Sequence, residues 1–145
     1  YDLMRSDLSL IVERTLDRET ISSYQFDILA YDGDNQTGLL RVHVQIDDVN
    51  DCPPKFHQSI YRLTNISEHT PIDSILARVQ AEDHDSGVNA QITYHLLTDD
   101  PCFLLDDITG DLRLQCFLDY EVKHHYQLTI EAKDHGEGSK SDLCT

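Results

Sequence analysis

The strongest constraint on the fold is internal repetition. A shift of 102 residues lays the start of the chain on its end without a gap: Leu3 falls on Leu105, Leu10 on Leu112, Leu16-Asp17 on Leu118-Asp119, Glu19 on Glu121, Tyr24-Gln25 on Tyr126-Gln127, Ile28 on Ile130, Ala30 on Ala132 and Asp32 on Asp134. A period of about one hundred residues is too long for a helical solenoid unit and fits a complete small domain. The 145 residues are therefore expected to hold two copies of one domain type, neither of them whole. Residues 1–51 read as the C-terminal part of the first copy with its linker, and 52–145 as the second copy. The second is expected to stop before any counterpart of the run Leu40 to Asp47, its final strand.

Within each copy the apolar residues alternate with period two, the signal of a strand with one buried face. Tyr126, Leu128, Ile130 and Ala132 fall on one side, and Gln127, Thr129, Glu131 and Lys133 on the other. The pattern recurs in Tyr24-Phe26-Ile28-Ala30, Leu40-Val42-Val44-Ile46, Ile75-Ala77-Val79-Ala81 and Ile92-Tyr94-Leu96. Phe103 to Leu105 and Leu112 to Leu114 flank a Gly-bearing turn and read as a hairpin. No segment carries a sustained helical stripe. The expected fold is all-β, a Greek-key sandwich of immunoglobulin-like type. After the strand ending near Ile46, Asp47-Asp48-Val49-Asn50-Asp51-Cys52-Pro53-Pro54 marks the boundary, because paired prolines hold the chain extended and cannot re-enter a central strand.

Charge narrows the function. The chain carries 27 Asp plus Glu against 11 Lys plus Arg, a formal net charge of −16, which argues against a nucleic-acid partner and for cations or basic partners. Its 39% hydrophobic content is too high for a disordered acidic chain. No apolar run approaches the roughly 18 residues of a membrane helix, and Tyr1-Asp2-Leu3-Met4-Arg5 has no signal-peptide character, so the piece is expected to be soluble as written. The carboxylates gather at strand ends and in loops without Lys or Arg partners: Asp17 and Glu19; Asp32 and Asp34; Asp47, Asp48 and Asp51; Glu82, Asp83 and Asp85; Asp119 and Glu121; Asp134. Such clusters repel themselves unless a cation or water joins them. Six to eight oxygen donors at about 2.3–2.6 Å suit Ca²⁺ better than Mg²⁺, which demands strict octahedral geometry. A single pair reads more simply as solvated surface; the repeated spacing favours a cation.

Together, Leu16-Asp17-Arg18-Glu19, Asp48-Val49-Asn50-Asp51-Cys52-Pro53-Pro54, Ala81-Glu82-Asp83-His84-Asp85, Leu118-Asp119-Tyr120-Glu121 and Ala132-Lys133-Asp134-His135-Gly136 resemble the signature of cadherin repeats, in the family's order and across essentially the whole chain. Ile66-Ser67-Glu68 fills the x-E-x position and Gly87-Val88-Asn89-Ala90 the loop after D-x-D. The resemblance includes non-desmosomal, protocadherin or Fat-like types. It implies Ca²⁺ at the junction between repeats. The ion nearest the second repeat would take Asn50, the Cys52 carbonyl, Asp83, Asp85, the Asn89 carbonyl and Asp134. A middle ion would take Glu19, Asp48, the Val49 carbonyl, Asp51 and Asp85, and an outer ion Asp17, Glu19 and Asp51. The last two also need a Glu expected upstream of Tyr1, so weak binding is expected there. Asp32 would serve the preceding junction, and Glu68, Asp119 and Glu121 the following one. Cys52 stands where the family has Asn, in a position that supplies only its carbonyl. Asp32-Gly33-Asp34-Asn35 is more acidic than the family loop and lacks its Pro.

Three divalent ions would change the formal charge from −16 to −10. The resemblance implies calcium-dependent cell–cell adhesion by rods of such repeats, with another cadherin as partner, in the extracellular part of a plasma-membrane protein anchored outside this piece. Having no Trp of the kind exchanged between the first repeats of some cadherins, this piece is expected to supply spacing and rigidity rather than the adhesive tip. The alternative is a non-adhesive structural or mechanical spacer in a large cadherin-related receptor. An EF-hand reading of Asp83-His84-Asp85 fails, since Val88 and Tyr94 occupy positions that require Gly and Glu. The carboxylate pairs sit in linker motifs rather than a cleft, and no nucleophile elbow or phosphate loop is present, so no enzyme is expected.

Four cysteines permit three full pairings. Cys102 and Cys116 flank the hairpin around Gly110 and are the preferred pair, with Cys52 and Cys144 free or paired elsewhere. The sequons Asn35-Gln36-Thr37 and Asn65-Ile66-Ser67 are compatible with secretion and glycosylation, Asn35 being the more accessible by its loop position. His124, His125 and His135 lack zinc-ligand spacing and read as exposed polar side chains. With both copies cut, marginal stability or association is expected.

Overall fold

The structure, a computed structural model, describes residues 9–34 and 36–145. Leu3, used in the repeat alignment, and the sequon residue Asn35 lie outside the described residues. The chain divides into two compact units, Tyr1–Asp47 and Asp48–Thr145. Among the described residues every regular element is a strand, and no helix is long and apolar enough to cross a membrane.

The first unit is built on one antiparallel hairpin, β1 (Ser23–Tyr31) and β2 (Thr37–Gln45), paired without interruption from Ser23↔Gln45 to Tyr31↔Thr37. The expected alternation is realised over most of the hairpin: Tyr24, Phe26, Ile28, Val42, Val44 and Ile46 are half-buried, whereas Ala30 and Leu40, expected on the same face, are exposed. Arg41 reaches across to its register partner Asp27, with Nε–Oδ1 2.9 Å and Nη2–Oδ2 3.1 Å. The connection closes because Asp32 Oδ1 accepts from the backbone N–H groups of Asp34 (2.9 Å) and Gln36 (2.8 Å). A short Asp side chain can satisfy the backbone of a turn in this way, which is why Asp recurs there.

The second unit is a sandwich whose strand pairings are all antiparallel. One sheet has the order β10 (Ser141–Cys144), β9 (Ile130–Asp134), β6 (Ile92–Leu96); the other has β4 (Ile75–Arg78), β8 (Asp111–Leu114), β7 (Phe103–Leu105). β3 (Lys55–Phe56) and β5 (Ala81–Glu82) form a short third ladder. After β6 the chain leaves its sheet, makes the β7–β8 hairpin in the opposite one and returns as β9 beside β6, a Greek-key crossover. Phe56, Val79, Tyr94, Ile130, Ala132 and Cys144 form the buried core, with Leu112 and the fully buried Leu114 beside it. The β7–β8 turn depends on Gly110 at φ +70°, where a Cβ would lie 2.3 Å from the Val79 carbonyl oxygen. Beside it Asp111 is held by Arg78, Nε–Oδ1 2.5 Å and Nη2–Oδ2 3.0 Å.

Register shapes further details in the second unit. Ile75 is 49% exposed rather than inward, because the β4–β8 register shifts between Ile75 and Ala77 and a bulge turns the side chain over. Tyr126 and Leu128 turn inward as expected, yet the β9 ladder begins only at Ile130. β10 pairs with β9 and matches only the opening part of β2. Tyr31 pairs with Thr37 across five loop residues, 32–36, whereas Lys133 pairs with Ser141 across seven, 134–140. The loop is two residues longer in the second copy, so Ser141–Cys144 corresponds to Thr37–Leu40.

Candidate metal centre

At one end of the second unit three chain segments converge: the linker before β3, the β5–β6 loop and the β9–β10 loop. The β5–β6 loop is shaped by its own carboxylate, since Asp83 Oδ1 accepts from the Asp85 N–H at 2.9 Å. Gly87 at φ +60° then turns the chain, and Asn89 N–H closes onto the Ser86 carbonyl at 3.2 Å. Asp48 Oδ2 accepts from the Asn89 side-chain amide (2.8 Å) and the Ser86 N–H (2.9 Å), tying linker to loop.

Asp134, 2% exposed, anchors the third segment. Its Oδ1 accepts from the Gly136 N–H and from Asn50 Nδ2, both at 3.0 Å, and its Oδ2 from the Lys140 N–H at 2.8 Å. Asn50 Nδ2 also donates to the Glu137 carbonyl at 3.3 Å. Asp85, 7% exposed, receives the Cys52 N–H at 3.2 and 3.3 Å. Burial pushes the Asp85 carboxyl above the ordinary carboxylate range, and the charges of Asp83 and Asp48 push the same way against the Cys52 hydrogen bonds. Burial, with Asp85 and Asp51 alongside, pushes the Cys52 thiol up to about 12. It stays protonated near neutrality, so its sulfur is not a thiolate donor.

Among the described residues two acceptors inside this cluster have no partner: Asn50 Oδ1 and Asp83 Oδ2 are buried and receive no hydrogen bond. An orphaned buried oxygen costs about 1–3 kcal/mol, and two among packed carboxylates are a fault unless a cation joins them. The donors are carboxylate, amide and carbonyl oxygens, and Asp51, Cys52 and Asp85 place ligand atoms within 4.8 Å of one another. This chemistry fits a hard divalent cation with many oxygen ligands. Gly136 is part of the same construction: a Cβ there would fall 2.3 Å from Asn50 Nδ2 and 2.6 Å from Asn89 Oδ1.

The structure thus brings Asp48, Asn50, Asp51, Cys52, Asp83, Asp85, Asn89 and Asp134 to one end of the second unit. Val49 is exposed, and its carbonyl accepts the Asp51 N–H at 2.7 Å. Elsewhere in that unit Glu68 Oε2 accepts the Tyr120 N–H at 3.2 Å, which sets Glu68 beside the turn carrying Asp119 and the exposed Glu121. Asp119 Oδ1 accepts the Val122 N–H at 3.0 Å, and its carbonyl the Lys123 N–H at 2.9 Å. In the first unit Asp17 makes the same pair of bonds, with Thr20 (3.0 Å) and Ile21 (2.9 Å). Hydrogen bonds from Thr20 hold its carboxyl below the usual range. Glu19 is hydrogen-bonded by Arg18, and Asp32 closes the β1–β2 loop. The motif reading contained Gly136 but gave it no role, since its requirement is steric, and it missed the backbone donors of Ser86 and Lys140.

The preferred disulfide is present: Cys102 and Cys116 are bonded, with Cα atoms 4.7 Å apart, while Cys52 and Cys144 are free thiols. His124 stacks near Tyr120 (5.7 Å between ring centroids) and His135 Nε2 lies 3.2 Å from Thr93 Oγ1, both on the surface.

Against known proteins, the family model described as Cadherin domain matches residues 62–145. Protocadherin Fat 4 of Homo sapiens is 43% identical over 129 residues, 88% of this chain and 2% of that protein. Protocadherin gamma-B2 of Pan troglodytes is 40% identical over 134 residues, again 88% of this chain and 14% of that protein. The chain therefore spans a small part of the relatives it matches. Among solved structures, that of mouse clustered PcdhgC3 EC1-3 is similar with a TM-score of 0.81 and 31% identity, covering 92% of this chain and 44% of that one. The family match covers more than half of the chain and takes in Asp83, Asp85, Asn89 and Asp134, and the chain belongs to the cadherin family.

Proposed function

We propose that this chain is a calcium-dependent cell–cell adhesion module, in which Ca²⁺ held at the junctions of successive extracellular repeats stiffens a rod. The observation that carries this reading is the pair of orphaned oxygens, Asn50 Oδ1 and Asp83 Oδ2, among the buried carboxylates Asp85 and Asp134. Asn50, Asp83, Asp85, Asp134 and the carbonyls of Cys52 and Asn89 would hold the ion. The ion would supply positive charge to a cluster of carboxylate, amide and carbonyl oxygens. The chain's own contribution is to pre-position them: Gly136 and Lys140 fix Asp134, Cys52 fixes Asp85, and the Asp83 turn fixes its loop. Asp17, Glu19, Asp48, Val49 and Asp51, and for neighbouring junctions Asp32, Glu68, Asp119 and Glu121, follow the family pattern and belong to the same proposal.

Extracellular modules bind Ca²⁺ with Kd on the order of 0.1–1 mM, which saturates such a site outside cells and leaves it empty within them. The disulfide agrees with an oxidising, extracellular compartment. The role is non-catalytic, with Ca²⁺ and a second cadherin as partners and the membrane anchor elsewhere in the parent protein. The similarity to Protocadherin Fat 4, of which the chain spans 2%, keeps a spacer role in a large receptor as the second reading. Calorimetric titration with CaCl₂ is expected to show millimolar-range uptake that Asp85→Ala removes. Uptake by the variant equal to that of the parent chain would overturn the site. Ultracentrifugation with and without Ca²⁺ separates the readings, since calcium-dependent dimers indicate adhesion and a persistent monomer a spacer.

A further inference from the structure

Asn65 stands at the rim of an apolar opening. A cavity of about 770 Å³ in the second unit is lined by Ile60, Leu63, Ile66, Leu118 and Leu128 among others, with Asn65 on its edge. The rim residues Ile60, Leu63 and Ile66 are 51%, 43% and 40% exposed. Ile60 lies within Ser59–Tyr61, where Tyr61 N–H donates to the Thr145 carbonyl (2.7 Å) and Thr145 N–H to the Ser59 carbonyl (3.1 Å), and Leu63 and Ile66 lie in the stretch that follows. Beyond Tyr61 the stretch joins no ladder. An exposed apolar edge without a ladder partner promotes edge-to-edge association and is commonly covered.

The same stretch carries the acceptor triplet Asn65-Ile66-Ser67. Asn65 is exposed, lies in no strand and has φ +61°, a left-handed conformation that Asn tolerates. Among the described residues its side-chain amide makes no hydrogen bond, so modifying Nδ2 breaks none. Ser67 is exposed as well; its Oγ only accepts the His69 N–H at 3.2 Å, leaving its own proton available.

We propose that Asn65 is an N-glycosylation site whose sugar lies over the apolar rim of Ile60, Leu63 and Ile66. The donor is a lipid-linked diphosphate oligosaccharide, delivered by an oligosaccharyltransferase. Nδ2 of Asn65 bonds to the anomeric carbon of the first sugar, and the bond from that carbon to the phosphate oxygen breaks. The lipid diphosphate leaves with the bonding pair, and one Nδ2 proton passes to the transferase's base. The first sugars carry both hydroxyls and apolar ring faces, a chemistry that covers an aliphatic rim while keeping the surface wetted.

The site rests on the extracellular reading above, and the test separates the two. The full chain is secreted from a eukaryotic host, and its peptides are mapped with and without peptide N-glycosidase. The expected result is a glycosidase-sensitive mass on the peptide containing Asn65. It is lost in Asn65→Gln and Ser67→Ala and retained in Ser67→Thr. An unmodified Asn65 in chains whose Cys102–Cys116 disulfide has formed overturns the site alone; an unmodified Asn65 with reduced cysteines overturns the extracellular reading with it. Enzymatic removal of the sugar from the folded chain is expected to increase self-association severalfold in sedimentation, and no change would refute the covering role.

Discussion

Gly136 shows how a single hydrogen atom in place of a methyl group shapes the cluster. A Cβ at this position would meet Asn50 Nδ2 at 2.3 Å and Asn89 Oδ1 at 2.6 Å, and both neighbours are held by hydrogen bonds to Asp134 and Asp48. Gly136→Ala is therefore expected to displace Asn50 and cost about 1–3 kcal/mol of overpacking strain. Calorimetry is expected to register the same loss as weakened Ca²⁺ uptake; an alanine variant that binds and melts like the parent would contradict it. Elsewhere in the second unit the Arg78 guanidinium beside Asp111 holds that carboxyl below the usual carboxylate range. The unfolded chain then binds the proton more readily than the folded one, so stability rises with pH through this window. Asp111 stabilises the fold above the unfolded value and loses that contribution as pH falls through the lower folded one. Urea melts of Asp111→Asn are expected to differ most from the parent at neutral pH and to converge in strong acid; a gap that is constant with pH would refute the assignment.

The β7–β8 hairpin joins the two most constrained features of its sheet, the Gly110 turn at one end and the Cys102–Cys116 bridge at the other. The bridge closes a segment with a sequence separation of 14. In the chain-entropy account a loop of this length contributes about 3 kcal/mol by restricting the unfolded ensemble. Thermal melts of the double variant Cys102→Ala, Cys116→Ala are expected to show a loss of about 2–4 kcal/mol, and an unchanged midpoint would mean that native strain cancels the gain. This hairpin was readable in the sequence because both of its strands and its turn are local. The β1–β2 hairpin was equally legible. What alternation could not show is whether an inward-facing segment has a ladder partner. Tyr126 and Leu128 turn inward with no ladder, because pairing depends on a neighbour far away in sequence. The bulge at Ile75 and the two extra residues between β9 and β10 escaped for the same reason: each is a register fact, fixed by the facing strand. Among the site residues Asp83, Asp85 and Asp134 were legible as motifs, whereas the need for Gly136 arises only when three segments meet.

For the molecule as a whole, acidity sets the balance. A formal charge of −16 on 145 residues opposes compaction, and at one end of the second unit Asp48, Asp83 and Asp85 are close enough for their charges to act on one another. A cation that binds the folded chain and not the unfolded one stabilises it by RT ln(1 + [L]/Kd). With Kd on the order of 0.1–1 mM, Ca²⁺ at ~10 mM is expected to add about 1.4–2.7 kcal/mol for one site. The melting temperature should rise with Ca²⁺ and fall back with a chelator, and Mg²⁺ at equal concentration should do less, because its octahedral demand suits a broad oxygen cluster poorly. Monovalent salt at matched ionic strength isolates simple screening, which acts on exposed charges more than on the buried Asp85 and Asp134. Asp134→Asn should abolish the calcium-specific part and leave the salt response intact. Equal stabilisation by Ca²⁺ and by matched monovalent salt would show that the acidic end is merely a screened surface, and the calcium reading of the chain would fall with it.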